Sequence, residues 1–254
     1  MNPVNIAFWG DSITEGFPGC SYFKQLQLDP NRYRLHNYGK GGDTVMSLYK
    51  RLRHQEFDHD YDLVFVFVGV NDVFVKLAWS YALLKTVAHQ SWSHDDLDFE
   101  TSYRKILALL AHKSTTVIAV SPLLLGEDLN NPWNAQLNKQ REIIANLTRQ
   151  FDNVEYMNIY NDDLKPVLVN HQLENQHISD YLPRSGLRIV LDALLVKHPD
   201  QVAETSKKRG LFLTLDGVHL NERGAHIVAQ TFTGRIEKIG HEELKYSTKR
   251  FSVS

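Results

Sequence analysis

Short apolar runs alternate with longer stretches of helical period along this chain. Five runs read as strands: Val4 to Trp9, Tyr33 to Tyr38, Leu63 to Val68, Thr116 to Ser121 and Val154 to Ile159. Every residue from Leu63 to Val68 is apolar, which predicts a strand buried on both faces in the middle of a parallel sheet. Ala225, Val228, Ala229, Phe232 and Ile236 fall at helical spacing and mark one apolar stripe. Asn221 is placed to cap that helix, with Glu222 in its first turn. Tyr103, Ile106, Leu107, Leu110 and Ala111 form a second stripe. Leu137, Ile144, Leu147 and Phe151 form a third, opened by Asn131-Pro132 with proline at the first helical position. Strands separated by helices predict an α/β fold, a three-layer α/β/α sandwich around a five-stranded parallel sheet.

Two connections are long for such a fold, about 73–98 and 161–212. The first is rich in large side chains and the second carries an apolar run from Ile189 to Val196. Long connections in compact domains tend to be lids or partner surfaces. No repeat, low-complexity tract or linker divides the sequence, so a single domain is expected to span residues 1–254.

Composition narrows the function classes. With 43% hydrophobic and 11% aromatic residues in 254, the chain has the means to fill a core, and disorder is excluded. A net charge of -2 gives no broad basic footprint, so nucleic acid is not the expected partner. The lone cysteine, Cys20, excludes an internal disulfide framework and a multi-cysteine zinc site. No run approaches the length of about 18 apolar residues needed to cross a membrane. Met1 to Asn5 lacks the basic start and apolar run of a signal peptide. The expectation is a soluble, cytoplasmic protein, and a homo-oligomer is compatible with it.

Four segments carry candidate chemistry. Gly10-Asp11-Ser12 stands at the end of the first strand, where ligands of open α/β sheets bind. A serine hydroxyl is a weak nucleophile until an imidazole takes its proton, and an acid must orient that imidazole. Asp216-Gly217-Val218-His219 supplies both just before the last helix. Attack on an ester carbonyl makes an oxyanion that needs preorganised N–H donors. Gly69-Val70-Asn71-Asp72 puts an amide at the end of the third strand, and Gly39-Lys40-Gly41-Gly42-Asp43-Thr44 puts bare backbone after the second. Each segment also has an ordinary explanation: Ser12 as a helix cap, Asp216 as a turn former, Asn71 as a turn asparagine, Asp43 or Thr44 as a cap. Their joint occurrence at strand ends and helix starts favours chemistry.

In these four blocks the sequence resembles the SGNH hydrolases, also called GDSL-type esterases and lipases, from Phe8 to His219. The resemblance implies a flavodoxin-like fold and acyl-ester hydrolysis without a cofactor. It implies Ser12 as nucleophile, His219 as general base and acid, and Asp216 as its orienter. The implied oxyanion hole is the Ser12 and Gly42 backbone N–H groups and the Asn71 side-chain amide. Gly41 adjoins Gly42, and Gly42 is preferred because it directly precedes Asp43-Thr44. Ile13 replaces the Leu of the family name. The implied substrate is a small-molecule acyl ester, with a short acyl chain preferred, such as an O-acetylated carbohydrate or small metabolite. The alternatives are an acyltransferase or thioesterase on the same site, and a non-catalytic binding module.

The remaining polar clusters have simpler explanations. Asp58-His59-Asp60-Tyr61-Asp62 and Ser93-His94-Asp95-Asp96 lack a metal-ligand spacing, so no metal is expected. His171 and His177 are expected in a solvated loop, Cys20 as a small packed side chain, and Lys207-Lys208-Arg209 as a solvated helix end. No Gly-x-Ser-x-Gly elbow surrounds Ser12, which excludes the usual α/β-hydrolase arrangement.

Overall fold

The computed structural model describes residues 3–55, 61–175, 178–182, 192, 196 and 198–251, with side chains to residue 240 in the last helix. Five strands, β1 (Val4–Gly10), β2 (Tyr33–Gly39), β3 (Tyr61–Phe67), β4 (Ser114–Val120) and β5 (Val154–Met157), form one sheet in the order β2-β1-β3-β4-β5. Every pairing is parallel. All five expected strands are present within two residues at each end. The fifth stops at Met157, where its pairing with Val120 of β4 ends. The chain then turns through Tyr160–Leu164, anchored by the Tyr160 N–H on Ser121 Oγ at 3.1 Å.

Register sets the place of the chemistry. Gly10 lies opposite Gly39 on one side and Phe67 on the other, so β1, β2 and β3 finish level. From β1 the chain crosses to β2 on one side and later to β3 on the other. Such a reversal leaves a crevice between the diverging connections.

Strand alternation divides the core. Ile6, Phe8, Leu63, Phe65, Phe67, Ile118 and Val120 face one layer, with Ala225, Val228, Phe232 and Ile236 of the last helix, α9 (Glu222–Phe251). Ala7, Trp9, Val64, Val66, Val117 and Ala119 face the other. There they meet α2 (Val45–Arg53), α5 (Asp96–Lys113) and α6 (Pro132–Thr148). Asn221 caps α9 through Gly224 N–H at 3.1 Å, and Asn131 caps α6 through Trp133 and Asn134. Phe151 of the third stripe falls just beyond α6.

The long connections are more regular than expected. Residues 73–98 hold most of α3 (Val70–Leu77), all of α4 (Trp79–Val87) and the start of α5. Their period is hidden because α3 is buried almost all round and α4 is inverted. Lys85 of α4 is 3% exposed whereas Trp79 is 78% exposed. Residues 161–212 hold α7 (Lys165–Asn175) and α8 (Pro199–Lys208). The run Ile189 to Val196 lies outside the described residues except for Asp192 and Val196. Asp192 corrects one expectation: Arg209 is not solvated but donates to both its carboxylate oxygens at 2.7 and 2.9 Å, and to Leu215 O. Lys208 does face solvent, paired with Glu204 one turn away. Among the described residues no helix is long and apolar enough to cross a membrane.

Phe232 is the centre of the aromatic layer, with ring centroids 4.8 Å from Phe65, 4.9 Å from Tyr22 and 5.7 Å from Phe8. Phe232→Ala is expected to cost about 3–5 kcal/mol by the cavity it leaves. Urea unfolding of both proteins checks this through the shift in midpoint at constant slope.

Candidate active site

Ser12 opens α1 (Ser12–Glu15), a single turn at the end of β1. The cap of this turn is Asp11, whose carboxylate accepts the Ile13 N–H at 3.0 Å, so the Ser12 side chain is not used as a cap. Its hydroxyl lies 2.9 Å from His219 Nε2, across 207 residues of sequence. His219 Nδ1 lies 2.7 Å from Asp216 Oδ2. Asp216 Oδ1 meanwhile accepts the N–H groups of Val218 and His219 at 3.0 and 2.8 Å. The acid is therefore held by its own turn, and Nδ1–H donates to it. That tautomer leaves Nε2 free to accept the Ser12 proton. The expected local turn geometry and the transfer of a proton from hydroxyl to imidazole fit one arrangement.

Electrostatics favour that chain of groups. Burial pulls the His219 pKa down, but the Asp216 carboxylate beside it, helped by Asp11 and Asp192, lifts it above the ordinary 6.5. Burial raises Asp216, yet the imidazole and two backbone N–H groups outweigh it and bring its pKa below normal. Asp11 goes the other way: burial pushes it up to about 7 against its backbone hydrogen bond and His219.

The two intervening segments meet at the same edge. Thr44 is the cap of α2, with a reciprocal bond to Ser47, so that simple expectation also holds. Asp43 instead takes Arg51 at 2.6 Å and Ser47 at 3.0 Å. Arg51 also donates to Gly10 O at 3.3 Å and lies over the Trp9 ring, which ties this loop to the end of β1. Gly42 has φ +74°, and a Cβ there would meet Lys85 Nζ at 2.5 Å. Gly41 shows no such positive φ. Asn71 Nδ2 donates to Asp43 O at 3.0 Å, which uses one of its two hydrogens. Tyr81 donates to Asn71 Oδ1 at 3.0 Å. Buried Asp72 accepts Val45 N–H at 3.0 Å and Ser93 Oγ at 2.7 Å, joining β3's end to α2.

Sequence reasoning missed four residues around this site: Arg51, Tyr81, Lys85 and Glu127. Glu127, 2% exposed, accepts the N–H groups of Phe212, Leu213 and Thr214 and the Thr214 hydroxyl at 2.7–2.8 Å. Gly126 N–H adds a bond to Gly217 O at 2.7 Å. The loop after β4 thus clamps the segment that carries Asp216 and His219. A lone Glu in an apolar loop, Leu123-Leu124-Leu125-Gly126-Glu127, was the available signal.

Other expected residues stand apart. Asp58, His59, Asp60 and His177 lie outside the described residues. Asp95 caps α5 through Asp98 N–H, and His94 is exposed. His171 sits on α7, stacked on Phe212 at 3.5 Å, beside a groove of about 920 Å³ that contains neither Ser12 nor His219. Cys20 is half-buried against the core, and burial pushes its thiol pKa up. No group of three or more His, Cys, Asp or Glu is placed to hold a metal among the described residues.

Comparison with known proteins adds a second line of observation. The profile of the GDSL-like Lipase/Acylhydrolase family matches residues 8–227. Among solved structures, the acetyl xylan esterase AlAXEase is 25% identical, with a TM-score of 0.61 over 92% of this chain and 100% of that one. Axe2, an acetylxylan esterase from Geobacillus stearothermophilus, is 16% identical with a TM-score of 0.57, covering 91% and 94% of the two chains. LAE5, an α/β hydrolase enzyme from the metagenome of Lake Arreo, Spain, is 17% identical with a TM-score of 0.57 and covers 91% and 94%. The last two likenesses speak to the fold alone. No curated protein matches the chain.

Two measurements test this geometry without reference to turnover. NMR titration of the His219 ring is expected to give a pKa above 6.5, falling in Asp216→Asn once the carboxylate charge is gone. Glu127→Ala leaves three backbone N–H groups and a hydroxyl without their acceptor, which is expected to destabilise by about 3 kcal/mol or more. Denaturant unfolding reads that loss, and an unchanged midpoint would contradict the clamp.

Proposed function

The chain belongs to the GDSL-like lipase/acylhydrolase family, and we propose that it cleaves a short-chain acyl ester, such as an O-acetylated carbohydrate, through an acyl-enzyme on Ser12. Its class as a carboxylic ester hydrolase follows from the family and from its likeness to an acetyl xylan esterase. The observation that carries the finer reading is the continuous chain Ser12 Oγ, His219 Nε2, His219 Nδ1, Asp216 Oδ2.

In this mechanism His219 Nε2 takes the hydroxyl proton as Ser12 Oγ bonds to the ester carbonyl carbon. The carbonyl oxygen gains negative charge and is met by the Ser12 and Gly42 backbone N–H groups and the second Asn71 amide hydrogen. Collapse breaks the bond to the alcohol, which leaves with the proton from His219. Water then attacks the acyl-enzyme with His219 again as base, and the acid departs as the Ser12 hydroxyl is restored. Asp216 stays ionised throughout, which its lowered pKa supports. A short acyl group suits a crevice where Ser12 is only 6% exposed and α4 packs against Gly42. The acetyl and carbohydrate parts rest on the resemblance to AlAXEase.

Ser12→Ala is expected to abolish hydrolysis of 4-nitrophenyl acetate and to prevent labelling by a fluorophosphonate, with the fold retained by circular dichroism. Full turnover in that variant would reject the scheme, and absence of labelling in the folded native protein would favour a binding module. Asn71→Ala is expected to lower kcat by about 100-fold to 1,000-fold with little change in KM. Because the neutral imidazole is the base, kcat/KM is expected to fall as pH drops through the raised His219 pKa, above 6.5. Burial pushes Asp11 up to about 7 and its charge acts on His219, so the two titrations are coupled. Rate profiles of native and Asp11→Asn protein separate them.

A further inference from the structure

Both intervening oxyanion donors are held from the same helix. On α4, Tyr81 and Lys85 stand one turn apart and point inward together. The Tyr81 hydroxyl donates to Asn71 Oδ1 at 3.0 Å, while Asn71 Nδ2 already serves Asp43 O. With the amide bonded at both ends, one Nδ2 hydrogen is left for a substrate oxygen. Lys85 Nζ donates to the Gly42 carbonyl and to Gln90 Oε1 at 2.6 Å. That contact holds a left-handed glycine whose Cβ, were it present, would fall 3.1 Å from the Tyr81 hydroxyl.

We infer that Tyr81 and Lys85 are positioning residues of the oxyanion hole: Tyr81 fixes the Asn71 amide, and Lys85, through the Gly42 carbonyl, holds the left-handed conformation that aims the adjoining Gly42 N–H before substrate arrives. The inference rests on the assignment of those donors under the proposed function. Its physical content is that donors aimed in advance need no reorganisation as charge develops on the carbonyl oxygen. Burying an ammonium is costly, and this one is kept 3% exposed beside Asp43, Asp72 and Asp11. A surface lysine two or three positions along the same helix would avoid that cost. The outer face of α4 instead presents large apolar side chains: Trp79, Leu83 and Val87 there are exposed.

The test compares native protein, Tyr81→Phe, Lys85→Met and, as a control on the exposed face, Trp79→Ser. Each is assayed with 4-nitrophenyl acetate and with a methyl trifluoromethyl ketone, which adds to a serine and places an anionic oxygen in the hole. Tyr81→Phe removes only a hydroxyl and keeps the ring packed on Phe74. It is expected to lower kcat about 10-fold and weaken the ketone by the same factor, with KM within about 2-fold, short of the loss from removing a donor outright. Lys85→Met is expected to act in the same direction, and Trp79→Ser to match the native protein. Should Lys85→Met fail to fold, Tyr81→Phe decides. Native kcat and ketone affinity in folded Tyr81→Phe would overturn the inference, as would a rise in KM with kcat and ketone affinity unchanged. Fluorophosphonate labelling of native Ser12 keeps the two proposals distinguishable: unlabelled native protein defeats the function itself, whereas labelled protein with unaffected variants defeats only the role of α4.

Discussion

A single hydrogen bond between Ser12 and His219 joins the beginning of the sheet to the segment before its last helix, and the rest of the fold serves to hold its two ends. The Ser12 end is fixed by parallel register, since β1 finishes between Gly39 and Phe67 and the chain must turn there. Among the described residues no strand lies beneath the His219 end. It depends on a short bridge between Thr214 and Leu220, on the bond from Gly126 to Gly217, and on the buried carboxylate of Glu127. Apolar packing of Leu213, Val218 and Leu220 seats the same segment in the core.

Buried carboxylates recur around the crevice, and their partners differ. Asp43 has an arginine, Asp216 an imidazole and two amides, Glu127 backbone amides and a hydroxyl, and Asp72 amides and a serine. Removing an ionised carboxylate from water is costly unless such donors replace the lost hydration. Asp11 has one backbone N–H, and burial pushes it up to about 7; burial also raises Asp72, against its amides and serine.

Much of this was legible in the sequence. Strands showed because a parallel sheet buries both faces, so Leu63 to Val68 could hardly be anything else. Asn131-Pro132 and Asn221 announced helix starts through capping chemistry that is local. The Ser12, Asp216 and His219 segments were legible because they set a serine at a strand end and an acid three residues before a histidine at a helix start. What escaped notice was non-local. Glu127 acts on residues 85 to 87 positions away; its apolar neighbours mark it as unusual but do not say which segment it holds. Arg209 looked solvated beside Lys207 and Lys208, but its partner Asp192 lies 17 residues earlier. Helix α4 was hidden because its burial runs against its hydropathy.

That inversion bears on anyone altering this protein for handling or crystallisation. Hydropathy would single out Trp79, Leu83 and Val87 as interior and pass over Lys85 as a harmless surface cation. The reverse holds: the tryptophan can be exchanged for a polar residue at little structural cost, whereas the lysine is the member of the helix that touching would disturb. Surface-entropy or charge-reduction schemes applied to every lysine by rule would strike the inside of the molecule here.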